Sequence, residues 1–477
     1  MKRIFFFCLL LTVNVGGLLF ADHHESERPN IFFAIADDWG WPHASSYGDR
    51  VIKTPAFDSI AANGVLFTNA YISAPTCTAS RNAILTGQHF WRLKSGSALF
   101  GNYPEGFPSY VQVLKETGYF VGHYRKGFGP GSDGGKEVAG KKFGSLDAFL
   151  KERPKDQPFC FWFGASDPHR PYILDSGIRA GMKPEDVQVP PFFPNVDAVR
   201  RDILDYYWEV ERFDRQVGEA LALLETQGLS DNTIVVMAGD HGFPFPRGKA
   251  SLYDHGARVP LAIKWHAQIP QNRVVTDFVS TTDLAPTFLE ATGLDMLPGT
   301  TGRSLLPILR SEKEGRVSSD REYVLTGKER HTVAQIDHMG GTPMRAIRTD
   351  NFLYIHSFKP ERWPAGHPDG SIYGPTYSEV NESPTKSYII EHKDEPDMQI
   401  YWQLSFGLRP ADELYDLRLD PYQMYNVADR TEYAGTLKRL KEKLFSELEK
   451  YEDPRVIGGA DAFDQYEYLG RLQGRPN

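Results

Sequence analysis

The sequence predicts an α/β fold: a central, mostly parallel sheet flanked by helices, with a smaller C-terminal α+β subdomain containing an antiparallel sheet. Three observations carry this expectation. Short apolar runs alternate with helix-length amphipathic segments through the first part of the chain. Two of those runs end in ligand-type pairs, Asp37-Asp38 and Asp240-His241. After about residue 345 the rhythm changes to a hairpin.

Asn30 to Ala36 is an almost unbroken apolar run, as expected of a strand buried on both faces, and it ends in Asp37-Asp38. Pro55 to Ala62 has helical spacing at Phe57, Ile60 and Ala61, stops at Asn63-Gly64, and leads into strand-like Val65-Leu66-Phe67. The same rhythm recurs with a helix from Tyr110 to Thr117, a stop at Gly118, and Tyr119-Phe120-Val121. Phe159 to Ala165 reads as a further strand. A long helix is expected over Asp197 to Gln227, because Ile203, Tyr207, Val210, Val217, Leu221 and Leu224 share one face and Gly228 follows as a stop. Thr233 to Ala238 then forms a β-branched strand delivering Asp240-His241-Gly242. Ligands gather at the carboxyl ends of strands in such sheets.

In the last third, Ala346-Ile347-Arg348 and Phe352 to Ile355 flank a turn at Asp350-Asn351. Trp363 to Ser387 reads as a long loop of the kind that shapes binding sites. Leu437, Leu440, Leu444, Leu448 and Tyr451 mark a helix expected to pack on the small sheet. The expected divisions are residues 1–21 as a signal peptide, 22–344 as the main domain and 345–477 as the C-terminal subdomain.

A 477-residue chain with 41% hydrophobic side chains can bury a sizeable core, and no internal period suggests a repeat array. The net charge of −9 becomes more negative once Lys2 and Arg3 leave with the first segment, which argues against a nucleic-acid partner. Cys8 lies in that segment, so Cys77 and Cys160 allow at most one disulfide and no disulfide framework. Lys2-Arg3, the apolar run Ile4 to Leu11 and the small Ala21 fit a secretory signal; Thr12, Asn14 and two glycines interrupt it short of a membrane span. The expectation is an exported protein, periplasmic or extracellular, with no membrane span after removal of the signal.

The clearest chemical signal is Cys77-Thr78-Ala79-Ser80-Arg81, running into Asn82-Ala83-Ile84-Leu85-Thr86-Gly87. Helical potential begins near the cysteine, and a helix N-terminus favours an anion or a nucleophile. Taken alone, Cys77 reads equally as a small buried hydrophobe.

The segment resembles the signature of the formylglycine-dependent sulfatases, Cys-x-Pro/Ala-x-Arg followed by Leu-Thr-Gly. The resemblance runs from Pro29 to Asn426 and is closest to the sulfamidase-like members. It is carried also by Ser166 to Pro171, Val189 to Asn195, Gly242 to Pro246 and Thr301 to Pro307. It implies an alkaline phosphatase-like sheet and an enzyme hydrolysing sulfate esters or N-sulfate groups of sulfated glycans. It further implies conversion of Cys77 to formylglycine by a formylglycine-generating or anaerobic sulfatase-maturing enzyme. Ala79, where the aerobic signature has proline, leaves open which of the two acts.

By the same resemblance Asp37, Asp38, Asp240, His241 and the modified Cys77 are the metal ligands, with Ca²⁺ the expected ion. Three carboxylates suit a hard divalent cation, whereas a nitrogen ligand at His241, often asparagine in the family, is less typical of calcium. Arg81, Lys126, His169 and Lys249 match the catalytic cations and donors around the sulfate. Phe128 replaces a second family histidine, and His123 is a candidate stand-in. His331 and Arg345 match a sulfamidase-like stretch and are expected to bind a glycan's carboxylate or hydroxyls. Trp39, Trp41, Trp91 and Tyr172 lie near presumed site residues and suit either sugar stacking or core packing. Two alternatives stay open: a phosphomonoester or phosphonate hydrolase of the same superfamily, and an exported glycan-binding protein whose site has degenerated at Ala79 and Phe128.

Overall fold

Strand β1 (Asn30–Ala36) is buried along its whole length, as an unbroken apolar strand requires when neighbours flank it and layers cover both faces. In the computed structural model, which describes residues 28–470 apart from 267, 337, 372 and 373, it lies inside an eight-stranded sheet. The segment 1–21 falls outside the described residues. The following strands are β2 (Val65–Phe67), β3 (Ala70–Tyr71), β4 (Phe120–Arg125), β5 (Lys141–Phe143), β6 (Phe159–Gly164), β7 (Thr233–Gly239), β8 (Leu261–Lys264), β9 (Arg273–Val275) and β10 (Val279–Ser280). The large sheet has the order β5-β4-β6-β1-β7-β8-β2-β9. Only β8 runs against the others, and β3 and β10 form a separate short ribbon.

The alternation of β1 divides the core. Ile31, Phe33 and Ile35 pack with Trp162, Val236 and the helices Tyr110–Glu116 and Leu284–Ala291. Phe32, Ala34 and Ala36 face the helix Asp197–Thr226 through Ile203, Tyr207, Val210 and Val217. The result is a three-layer arrangement in which the carboxyl ends of β1, β4, β6 and β7 open on one edge.

The second sheet consists of β11 (Tyr323–Lys328), β12 (Met344–Thr349), β13 (Phe352–Ser357) and β14 (Asp412–Asp416), antiparallel in chain order. The helix Ala434–Lys450 covers it, with Leu440, Leu444 and Leu448 packed among Leu325, Ile347, Tyr354 and Leu414. This sheet begins upstream of residue 345, because β11 pairs with β12 along its length. The loop expected through Ser387 ends in a helix at Pro384–Glu391, which Ser383 caps by accepting from the Lys386 amide. Among the described residues no helix is long and apolar enough to cross a membrane.

Candidate active site

The ends of β1 and β7 are tied together before any side chain is considered. The Asp240 amide donates to the Ala36 carbonyl at 3.1 Å, and the Asp38 amide donates to Asp240 Oδ1 at 2.9 Å. Asp38 takes a left-handed conformation, φ 72°, which turns its carboxylate out of the strand direction. Gly239 permits this approach, since a Cβ there would lie 2.0 Å from the Trp39 carbonyl oxygen. Cys77 opens the helix Cys77–Thr86, whose ten residues are all buried. Its thiol lies 3.5 Å from Asp37 Oδ1 and 3.2 Å from His241 Nε2.

Asp37, Cys77, Asp240 and His241 place one ligand atom each within 4.8 Å of one another. Asp38 stands beside this quartet, its Oδ1 3.0 Å from His241 Nε2. His241 Nδ1 lies 3.1 Å from the Gly242 carbonyl, so a proton on Nδ1 leaves the Nε2 lone pair facing the quartet. Burial opposes protonation of His241, but Asp240, Asp38 and Cys77 together hold its pKa well above the ordinary range, so a cation bound among these carboxylates would have to displace the Nε2 proton. Burial likewise works against the Asp38 carboxylate, and Lys249, His169 and His241 overcome it. So concentrated a set of anionic donors with an oriented imidazole fits one hard divalent cation.

The chain's own cations converge on the same carboxylates. Lys126 Nζ lies 2.5 Å from Asp37 Oδ1, and Lys249 Nζ lies 2.6 Å from Asp38 Oδ1. Arg81 donates from Nε to Asp240 Oδ2 at 2.8 Å and from Nη1 to the carbonyls of Lys126 and Gly127. Its Nη2 is buried without a hydrogen-bond partner among the described residues, 3.8 Å from Asp37 Oδ1. An unspent guanidinium donor beside the quartet is suited to an oxyanion. His169 Nε2 is 3.9 Å from Asp38 Oδ2; its side chain is 35% exposed, and so reaches the solvent side of the centre.

His331 is brought to this centre from beyond β11. It is buried, with Nδ1 2.6 Å from the Thr76 hydroxyl, and burial, Lys249 and Lys328 keep its pKa well below the ordinary range. Arg345 requires a correction. All five of its donors are taken by Asp453, Glu329 and the carbonyls of Lys328 and Met344, and it is fully buried. It therefore has no donor to offer a glycan and instead joins β12 to the segment after the last long helix.

Phe128 packs toward the core, 6.2 Å from the Tyr103 ring. His123 is tied through Nδ1 to the Gly140 carbonyl. Trp39 and Trp91 are buried core residues, and Tyr172 bonds the Pro168 carbonyl beneath Arg170. Sequence reasoning missed Arg170, whose bidentate pair with buried Asp202 fixes the segment carrying His169. Its only sequence signal was its place in the Ser166 to Pro171 stretch. A cleft of about 1100 Å³ opens onto Asp37, Lys126 and His169.

Residues 29–146 and 143–294 match the family model described as Sulfatase. Residues 239–364 match that of the N-sulphoglucosamine sulphohydrolase C-terminal region. An ulvan-active sulfatase of Formosa agariphila is 27% identical over 471 residues, covering 88% of this chain and 74% of the relative. Human N-sulphoglucosamine sulphohydrolase is 27% identical over 483 residues, covering 90% and 92%. Among solved structures, BT4656 in complex with D-glucosamine-2-N,6-O-disulfate superposes with a TM-score of 0.64 at 20% identity, covering 89% of this chain and 98% of that one. The phosphonate monoester hydrolase of Agrobacterium radiobacter gives 0.65 at 18% identity, covering 90% and 97%.

Proposed function

Because the chain belongs to the sulfatase family, we propose that it releases sulfate from sulfate esters or N-sulfate groups of glycans, using a formylglycine derived from Cys77 and one divalent cation. The observation that carries this reading is the burial of Cys77 at a helix N-terminus against Asp37 and His241, ringed by Arg81, Lys126 and Lys249. Asp37, Asp38, Asp240 and His241 would hold the ion, and Ca²⁺ is the ion we assign to them. Bound there, it would supply Lewis acidity toward the sulfuryl oxygens. Formylglycine formed at Cys77 would, as its hydrate, supply one oxygen that displaces the glycan oxygen or nitrogen from sulfur and a second hydroxyl whose collapse to the aldehyde expels sulfate.

The chain's own groups do the rest. Arg81 Nη2, the free donor of an otherwise committed guanidinium, orients the nucleophilic oxygen. Lys126 and Lys249 bind the sulfuryl oxygens and stabilise the charge that grows on them, the electrostatic contribution expected to dominate. His169, which lines the cleft together with Lys126, carries the proton to the departing oxygen or nitrogen. His331, held by the hydroxyl of Thr76, the residue before Cys77, is the group we assign to the sugar next to the sulfate.

The match to the sulphohydrolase C-terminal region and the human relative make an N-sulfoglucosamine end the first substrate to try. We assign an exported location and maturation by a formylglycine-generating or anaerobic maturing enzyme, with a sulfated polysaccharide or oligosaccharide as substrate. The test is mass spectrometry of the Cys77 peptide from protein coexpressed with each maturase, paired with sulfate release by wild type and Cys77→Ala. Exchange of sulfur for aldehyde oxygen with turnover lost in the variant supports the reading, and undiminished turnover in Cys77→Ala refutes it. The phosphonate hydrolase shares the fold, so matched phosphate and sulfate esters of one alcohol separate that activity from this one. Tight glycan binding without release from matured, ion-loaded protein would identify a degenerate binder instead.

A further inference from the structure

One wall of the cleft carries cations that the reaction does not use. Arg125, at the end of β4, precedes Lys126 and lines the cleft with it. Its Nε donates to the Tyr124 hydroxyl at 2.7 Å, and the guanidinium lies 5.1 Å from the centre of that ring. Tyr124 in turn stacks on Phe163, ring centres 5.1 Å apart. The guanidinium is thus oriented from behind while both Nη groups have no partner among the described residues, and a left-handed backbone, φ 51°, sets its direction. Lys142, on edge strand β5, is in register with His123 on β4, so the two side chains share a face of the sheet. Both line the same cleft.

Most acids of that cleft are already engaged by other groups. Glu137 pairs with Lys115 at 3.1 Å, and Glu209 with Arg212 at 2.6 Å. Asp167 takes Gln216 and Arg212, and Asp133 accepts from the Gly135 amide. Among the described residues Arg125 and Lys142 have no carboxylate partner. In a chain of net charge −9, two side chains without carboxylate partners next to the reacting group offer a local attraction for anions.

We propose that Arg125, aided by Lys142, binds a second oxyanion, a sulfate or a carboxylate, of a glycan whose first sulfate occupies the centre at Cys77. The preferred substrate is then a glycan with at least two anionic groups near the scissile one. This rests on the sulfatase reading for the position of the first sulfate. A planar guanidinium with two free nitrogens forms paired hydrogen bonds to either oxyanion. His123, fixed through Nδ1 to the Gly140 carbonyl, borders the same wall.

Calorimetry on the Cys77→Ala protein, which by the sulfatase reading binds without turnover, tests this with three ligands, while release is measured on the matured protein. The ligands are glucosamine N-sulfate, glucosamine N,6-disulfate, and N-sulfoglucosamine joined to a uronic acid. One of the two-anion ligands should bind roughly tenfold or more tightly than the mono-sulfate, and which one does so tells sulfate from carboxylate. Arg125→Gln, which keeps the contact with Tyr124, should remove most of that preference, and Lys142→Ala a smaller part. Equal affinity for all three ligands, or a preference retained in both variants, overturns the proposal. Sulfate release is read in parallel. Release without a binding preference overturns the second site and leaves the sulfatase reading intact; a lost preference in Arg125→Gln without any release does the reverse.

Discussion

At the scale of single residues, the same residue type has opposite uses, and only packing tells them apart. Arg81 and Arg345 are both fully buried guanidinium groups. One keeps a free nitrogen beside the quartet, while the other is wholly spent on Asp453, Glu329 and two carbonyls. Arg345→Met should therefore behave as a broken buried ion pair, costing about 3–5 kcal/mol because Asp453 loses its partner. Thermal unfolding would show it as a drop of several degrees. A glycan contact would instead raise KM with the melting temperature unchanged. Gly164 makes a second case, because a Cβ on it would lie 1.7 Å from the Lys126 carbonyl oxygen, to which Arg81 and Trp162 also donate. Gly164→Ala must displace Lys126, and kcat should fall roughly tenfold or more, since small misplacements of a reacting group are costly. Gly144→Ala, which meets nothing within 4 Å, is the control that should leave kcat as it was.

At the scale of elements, β1, β6, β7 and the helix Asp197–Thr226 were legible because long apolar runs and a long amphipathic face leave one interpretation. β8 and β9, four and three residues long, carry too little pattern to separate from loop. β11 escaped notice because its partner β12 is distant in sequence, so the hairpin signal pointed only to β12 and β13. The convergence of Asp37-Asp38 and Asp240-His241 at strand ends was readable because such sheets place ligand-type residues there, whereas His331 meets Thr76 only through the tertiary fold. β14 offers an acid-sensitive link. Asp412 accepts from Tyr354 and His356 of β13 and from Lys441 of the C-terminal helix, at 2.7, 2.8 and 2.8 Å. Burial resists its ionisation, but these donors prevail and pull its pKa down to about 2. A folded-state pKa below the unfolded one means the contribution is complete above about pH 4 and fades as the pH falls toward 2. Solvent screening limits it to about 1 kcal/mol or less. Asp412→Asn should unfold at lower urea than wild type at pH 7, with the gap closing toward pH 3. A gap independent of pH would show that the carboxylate's charge contributes nothing.

At the scale of the whole molecule, the active edge is where the two sheets meet. The helix Cys77–Thr86 sends Ile84 and Leu85 into the core of the large sheet, and Ala79 and Ala83 into that of the small one. Cys77 is thus anchored by both hydrophobic cores, and the residues we propose as metal ligands come from the large sheet's strand ends and from that helix. This division separates what a cation does for chemistry from what it does for folding. Each carboxylate of the centre already has a cationic partner from the chain: Lys126 for Asp37, Lys249 for Asp38 and Arg81 for Asp240. Removing the ion therefore leaves no buried charge unpaired, and the cost to folding is limited to the binding free energy lost by mass action. Treatment with a chelator should abolish sulfate release while the protein stays folded, with a melting temperature lowered by only a few degrees. Added Ca²⁺ should restore both. Loss of cooperative unfolding after chelation would mean instead that the ion holds the strand ends together, and that the lysine pairs are too weak to replace it.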